Sequence, residues 1–542
     1  MVFKQCSAKE KRRKIRIVIL LAVAALLLSS CNMLLPIRQT EPGIPTETEE
    51  PSTSEESPTS PVEVQKPVTT LGVETGHYYD NYWDDASERI AASVQYPYMH
   101  LSESDRKAYS ELEQSIAALM QERQESRMEL YAEAIQAAKD AFIEDQSNPP
   151  FFEVTETVTV RRSDSRIFSL MLEGSSYTGG LHGQPYILGV VFDSETGERL
   201  KLADVVTDVA LLPTLVEEQL EAFWDMDYLY EDLDLQAFFE TNLDSVSWVL
   251  DYYGLSIYFN PYEIAPYASG TQNVTIPFAS HPELFKEEYC EVPASYGVEF
   301  SAEKPFFYDV NGDGETDALT VMAAKGEYYY YDVQTVTLNG EKFEENTGIF
   351  LIEPVLLHTV DGKNYLYLGQ QYPDDFWVFE IFDLSKGTIE KIDTVYSGRH
   401  NIIDFENGYY ARQVLTDPQS FMLDSYTLML GTAYGYDSYH VGTNGLPVRD
   451  HDWYMICYEM ELTLRKDLIV SVVGEDGKTT GTTELKAGDN VVYYRTDGES
   501  WADLKLADGR IVRINPQNNE DGEWMVDGMN LEEVFDGVVF GG

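Results

Sequence analysis

The chain has 542 residues, of which 93 are acidic and 38 basic, for a formal charge of -55. That length exceeds what a single hydrophobic core organises and implies roughly three or four domains. The charge argues against nucleic acid and anionic lipid headgroups as partners, and favours basic proteins and divalent cations.

At the N-terminus a basic run, Lys9-Glu10-Lys11-Arg12-Arg13-Lys14, precedes apolar residues 17–28 and then Leu28-Ser29-Ser30-Cys31. The apolar run holds about twelve residues, short of the roughly twenty a helix needs to cross a bilayer. Leu-Ser-Ser-Cys resembles the lipobox of bacterial lipoprotein signal peptides. The resemblance implies that residues 1–31 are a signal peptide with its lipobox, that Cys31 is acylated, by palmitate or a similar chain, and becomes the mature N-terminus, and that the protein sits on the extracellular face of the cytoplasmic membrane. The alternative, an uncleaved signal anchor continuing through residues 33–37, would bury Ser29, Ser30 and Asn32 in hydrocarbon. Of the remaining cysteines, Cys6 lies in the signal, and Cys290 and Cys457 are expected as free thiols because no framework spacing relates them.

From Arg38 to Thr70 the sequence is Pro, Thr, Glu and Ser with too few apolar side chains to fold, which marks residues 32–76 as a disordered segment. They read as a tether averaging roughly 30 Å end to end and extending to about 100 Å. Folded sequence is expected from residue 77. Residues 90–98 have the pattern of a strand stopped by Pro97, and Ser102-Glu103-Ser104-Asp105 has the form of a capping box. The helix it opens is predicted to run to about Asp145, with Leu112, Ile116, Leu119, Leu130, Tyr131 and Ala134 at helical spacing. Arg123 and Arg127 fall on the same face, which predicts that the middle turns are partly exposed.

Residues 152–160 then alternate, with Phe152, Val154, Val158 and Val160 on one side and Glu156 the exception among them. Residues 167–172 form an apolar strand leading to Tyr177-Thr178-Gly179-Gly180-Leu181-His182-Gly183, whose adjacent glycines favour a tight turn. A second strand, a turn at Thr196-Gly197, Leu202-Ala203-Asp204 and a helix over residues 210–224 follow. The region closes with strands at 255–259 and 274–278, joined by Asn260-Pro261-Tyr262-Glu263-Ile264-Ala265-Pro266-Tyr267.

The Tyr177–Gly183 words, Thr196-Gly197, Leu202-Ala203-Asp204 and the loop from Asn260 to Tyr267 resemble the tandem extracellular module of the RsiV-like proteins, domains of unknown function, over about residues 88–280. The resemblance implies an α+β fold for residues 77–290, with helices packed on an antiparallel sheet, and a non-enzymatic surface role. Some members' external domains recognise lysozyme, and others precede a polysaccharide deacetylase domain. The chain departs from the signalling members because only about sixteen residues precede the apolar run, which leaves no cytoplasmic sigma-factor-binding segment. The deacetylase pattern of paired aspartates with His-x-x-x-His is also missing: after residue 280 the adjacent pair is Asp374-Asp375, without such histidines.

Residues 298–465 read as an all-β region, with short strands rich in Tyr and Phe between turns such as Asn339-Gly340, Asp361-Gly362 and Asn407-Gly408. Residues 466–542 resemble a small SH3-like β-barrel. Asp309-Val310-Asn311-Gly312-Asp313-Gly314-Glu315-Thr316-Asp317 carries the clearest chemical logic. Oxygens of Asp309, Asn311 and Asp313 at alternate positions, the Glu315 carbonyl and Asp317 can converge on calcium around a turn permitted by Gly314. Thr320 stands where an EF-hand has its bidentate acid, and the flanks read as strands. The competing reading is an Asp/Asn/Gly hairpin without metal.

His182 has no placed nucleophile or carboxylate and is expected to cap its turn by hydrogen bonds. Tyr262, Glu263 and Tyr267, on a loop shaped by Pro261 and Pro266, offer an acidic and aromatic edge that with His182 forms a candidate binding surface. The alternative places both tyrosines in the core. A second aromatic run, at residues 328–331, reads as one strand. The functional expectation is a calcium-stabilised surface lipoprotein that binds a lysozyme-like basic protein or a peptidoglycan fragment. The rivals are an envelope hydrolase with a non-local active site and a spacer without ligand.

Overall fold

The structure is a computed structural model that describes residues 67–540 apart from 86–87, 145–149, 327–329, 374–375, 405–408 and 475. The signal segment, Cys31, residues 32–66 of the tether, Asp374-Asp375, Asn407-Gly408 and Tyr328-Tyr329 lie outside the described residues. The described part is largely β with some helices.

Chain already enters the fold before residue 77. Leu71 and Val73 are fully buried, and the Leu71 N–H donates to the Ser163 carbonyl, so the tether ends several residues earlier than composition implied. Strands β1 (Val73–Asp84) and β2 (Arg89–Leu101) pair antiparallel. Contrary to expectation, β2 continues through Pro97, opposite His77. Its other neighbour pairs only as far as Gln95, so Pro97 occupies a free edge where a missing N–H is tolerated.

A break at Tyr109 separates a short helix from α1 (Ser110–Glu144). The expected capping box does not form: the Asp105 carboxylate instead accepts from the Gly72 N–H and the Ser102 hydroxyl, both at 2.8 Å. Helix α1 is the crossover that returns the chain to β3 (Phe152–Ser163), parallel to β2. The sheet is therefore mixed, not purely antiparallel. Strands β4 (Ile167–Tyr177) and β5 (Gln184–Asp193) complete this side antiparallel, and two strands from residues 401–404 and 409–413 extend the β1 edge.

The middle turns of α1 are exposed on one face, at Gln121, Glu122, Gln124 and Glu125, but the face that carries the arginines is covered. Arg123 and Arg127 are buried against Glu156, which has no exposed surface, with Arg123 Nη2 donating to Glu156 at 2.7 Å and the Tyr186 hydroxyl donating to the same carboxylate. The three outliers in the hydrophobic patterns, two arginines and one glutamate, thus meet one another. Burial works against the Arg123 cation, but Glu156 outweighs it and holds the guanidinium charged.

Helices α2 (Leu212–Phe223) and α3 (Leu235–Asn242) cover a three-stranded sheet, β6 (Ser247–Leu250), β7 (Gly254–Phe259) and β8 (Gln272–Pro277), around Val216, Leu220, Phe239, Leu250, Ile257 and Ile276. This layer rests on β5 at Gly189, where a Cβ would lie 1.9 Å from the Trp248 carbonyl oxygen. Only glycine permits that approach.

Beyond residue 290 the structure is almost entirely strands. A four-stranded sheet takes β10 (Phe306–Tyr308), β11 (Asp317–Lys325) and the next two strands in order, and a five-stranded sheet places β9 (Tyr296–Glu299) beside β14 (Leu351–His358). A large open sheet includes β18 (Gly398–Arg399), β21 (Phe421–Thr427), β22 (Ala433–Val441), β24 (Tyr454–Leu464) and β27 (Asn490–Thr496), while the short strands at 517–518, 524–526 and 529–530 form a small sheet of their own. The SH3-like barrel expected for residues 466–542 is therefore absent among the described residues: β27 pairs with β24 across residue 465 and the sheet does not close. Cys290 and Cys457 are free thiols. No helix among the described residues is long and apolar enough to cross a membrane.

Candidate functional site

Two loops meet beside the β4–β5 turn. Gly179 and Gly180 have φ of +119° and +100°, which let the chain reverse and leave Leu181 and His182 exposed. The opposing loop, 260–267, is clamped to β5 by Asn260, whose Oδ1 accepts from the Ile187 N–H at 2.7 Å while its Nδ2 donates to the Ile187 carbonyl at 3.1 Å.

The clamp brings three of the four expected residues together. The His182 ring stacks on Tyr267 at a centroid distance of 3.9 Å, and Tyr262 lies 5.8 Å from Tyr267. His182 Nδ1 is 2.8 Å from the Gly183 carbonyl, which also accepts from the Tyr267 hydroxyl at 3.0 Å. An N–H on Nδ1 leaves Nε2 as an acceptor toward the Tyr262 hydroxyl, 3.4 Å away. His182 thus caps its turn, as its isolation in sequence implied. Tyr262 is 58% exposed and held at φ +76°, a left-handed conformation costly for a residue with a Cβ. The tyrosines do not complete the core.

Glu263 has a different role. Its carboxylate turns back to accept from the Asn260 N–H at 2.8 Å, and burial pushes its pKa upward against that hydrogen bond. It braces the loop and presents little acidic edge. The assembled face can stack on a flat apolar or sugar surface and accept a cation on its rings. His182 meets a hydroxyl, a carbonyl and an aromatic face here.

The 309–317 loop links β10 to β11, with Tyr308 opposite Asp317. Gly312 and Gly314 take φ of +75° and +88°. The Asp309 carboxylate accepts from the N–H groups of Gly312 and Gly314 at 2.7 and 2.9 Å, Asn311 from Asp313 at 2.9 Å, and Asp313 from Glu315 at 2.8 Å. Asp317 is buried and accepts from the Val310 N–H at 3.0 Å and from Asn339. The hard-oxygen donor set suits calcium. No three carboxylates of this loop bring one oxygen each within 4.8 Å of one another.

Sequence reasoning missed a charged cleft of about 710 Å³ between the first sheet and β14. Glu299, Glu353, Arg399, Arg412, His77 and Glu173 line it. Arg399 Nη1 is 2.6 Å from Glu299 Oε1, while its Nε and Glu353 Oε2 are 3.5 Å apart. Burial, reinforced by Glu353 and opposed by Arg399, pushes the Glu299 carboxyl above its usual range. Burial and Arg412 push His77 down. These residues are scattered over the chain and belong to no local motif, so no sequence signal linked them.

Residues 206–279 match the family model described as "Protein of unknown function (DUF3298)". No curated protein matches. Among solved structures, a DUF3298 family member from Bacteroides fragilis aligns at 18% identity over 41% of this chain and 96% of its own, with a TM-score of 0.32. A DUF3298 family protein from Pseudomonas aeruginosa aligns at 15% identity over 42% and 97%, with a TM-score of 0.26. What this chain shares with characterised sequence families is thus a DUF3298 segment over residues 206–279, which contains Tyr262, Glu263 and Tyr267.

Proposed function

We propose that the protein is a lipid-anchored lipoprotein of the bacterial cell surface whose RsiV-like module holds a ligand without transforming it. The ligand is a basic protein of the lysozyme type or a cell-wall fragment. The observation that carries this reading is the His182, Tyr262 and Tyr267 face, exposed and built on a left-handed tyrosine. Its left-handed φ belongs to the turn over residues 260–263, which the Glu263 N–H closes on the Asn260 carbonyl at 3.0 Å, and a large aromatic side chain kept exposed at a position that favours glycine accords with recognition. The lipobox-like Leu28-Ser29-Ser30-Cys31 supports the anchor, and the charge of -55 supports a basic partner.

The test is retention of lysozyme and of soluble peptidoglycan fragments on the immobilised protein at rising salt. Binding that survives 0.5 M salt, about three times the ionic strength at which the Debye length is about 8 Å, and is lost in Tyr262→Ala, supports the reading. Binding lost with salt alone reduces it to nonspecific charge. For the anchor, mass spectrometry should find a lipid on Cys31. Calcium at 309–317 completes the proposal: saturation at about 100 times its Kd stabilises the fold by ~2.7 kcal/mol, abolished in Asp309→Asn/Asp313→Asn.

A second reading, an envelope hydrolase, draws on Glu299 and Glu353 sharing one cleft, with Glu299 displaced toward the protonated form. The close Arg399 contact weighs against a free general acid. Bond cleavage in wall fragments that disappears in Glu299→Gln would favour it.

A further inference from the structure

A second cluster lies where two sheets meet. The His400 N–H donates to the Met422 carbonyl at 3.3 Å, and its carbonyl accepts from the Gln413 N–H at 3.1 Å, so this residue ties β21 to the edge of the first sheet. Asp424 on β21 pairs with Tyr436 on β22, and Tyr436 pairs with Met455 on β24, two residues before Cys457. Pairing of β24 with β27 is interrupted between Met455 and Met460. An interruption of that kind re-aims the side chains within it, and Cys457 lies inside it.

His400 Nδ1 is 2.7 Å from Asp424 Oδ1, and Cys457 Sγ is 3.7 Å from the same oxygen. One ligand atom from each of the three residues lies within 4.8 Å of the others. The second Asp424 oxygen accepts from the N–H and the side-chain amide of Asn401, both at 3.0 Å, which orients Oδ1 toward the cluster. Tyr436 stacks on the His400 ring at 4.2 Å and fixes its plane. This outer support, an amide on the carboxylate and a ring under the imidazole, is what metal ligands require in order to stay aligned.

We propose that His400, Asp424 and Cys457 bind one divalent transition-metal ion, with zinc the best match. Thiolate, imidazole and carboxylate together select a borderline ion over calcium or magnesium. Tetrahedral zinc with bonds of about 2.0–2.3 Å sets its ligand atoms roughly 3.3–3.6 Å apart. The sulfur–oxygen separation already approaches this, and the nitrogen–oxygen pair must open by ~0.6 Å as the ion replaces the shared hydrogen. Three protein ligands leave a fourth position for water. On binding, the Cys457 thiol releases one proton to solvent, His400 becomes the neutral Nε2–H tautomer and Asp424 contributes its carboxylate. Two ligand charges then balance the dication.

The experiment uses the full chain, chelator-treated, titrated with cobalt(II) in a calcium-containing buffer and then with zinc(II). The expected result is a near-ultraviolet thiolate-to-cobalt charge-transfer band at one ion per chain, displaced by zinc. Cys457→Ser abolishes the band, and Asn401→Ala weakens zinc binding by about tenfold or more. Asp309→Asn/Asp313→Asn leaves the band unchanged, which separates this site from the loop and from the acidic surface. Absence of the band in correctly folded parent protein, or equal zinc affinity in folded Cys457→Ser, overturns the proposal. Circular dichroism establishes folding for each variant.

Discussion

The two sides of the β4–β5 hairpin put tyrosines to opposite uses. Toward α1, Tyr186 crosses the flat surface of Gly174 and joins Arg123, Arg127 and Glu156 in a buried polar group. Toward the 260–267 loop, Tyr262 and Tyr267 stack around His182 in contact with water. A charge withdrawn from water needs a counter-charge close by, so in the first group Glu156 is required by the fold. The second costs backbone strain and returns little burial, so it is dispensable for folding.

The strongest way to break this comparison is Glu156→Gln, which strands two buried guanidinium groups. Urea unfolding should show a loss of about 3–5 kcal/mol; a loss below ~1 kcal/mol would mean that water reaches the group. Two glycines of the hairpin give the next contrast. Gly189→Ala drives a Cβ into the Trp248 carbonyl and should cost at least the upper part of roughly 1–3 kcal/mol. Gly180→Ala meets no atom within 4 Å and should cost about 1–2 kcal/mol through its φ alone. Reversal of that order in thermal melts would show that the β5 contact with the covering layer yields easily.

Tyr262→Gly sharpens the exposed side. Relief of the left-handed strain offsets the added freedom of the unfolded chain, so stability should stay within about 1 kcal/mol while lysozyme or wall-fragment retention falls. Stability lost together with retention would return Tyr262 to the core. The smallest effect concerns Glu263. Its carboxyl is displaced upward in the folded state, so the native protein binds more protons than the unfolded chain as pH rises from the ordinary glutamate value to the folded one. Its contribution is complete below that window and is lost through it. Glu263→Gln should flatten this part of the stability profile in denaturant titrations at stepped pH.

Much of the N-terminal half was legible because local pattern and tertiary demand agree there. The periodicity of α1, the alternation of residues 152–160 and the Gly179-Gly180 reversal each express one dominant local requirement. The wording of the two loops marked His182, Tyr262 and Tyr267 as a candidate surface but left open whether they would meet, and it gave no sign of the inward turn of Glu263. That turn depends on the Asn260 N–H, which only the folded loop places within reach.

Sequence alone determined the acidity, the apolar N-terminal run, the cysteine inventory and most strand and helix positions, because these are properties of composition or of short-range periodicity. Tertiary structure decided that Arg123 and Arg127 would find Glu156, that the strands between residues 468 and 514 would join an open sheet, and that Glu299, Glu353 and Arg399 would share a cleft. It also decided that His400, Asp424 and Cys457 would gather. The physical reason is common to all four. Strand pairing and charge neutralisation act between residues far apart in sequence, and no local pattern encodes which distant partner will supply the missing hydrogen bond or counter-charge.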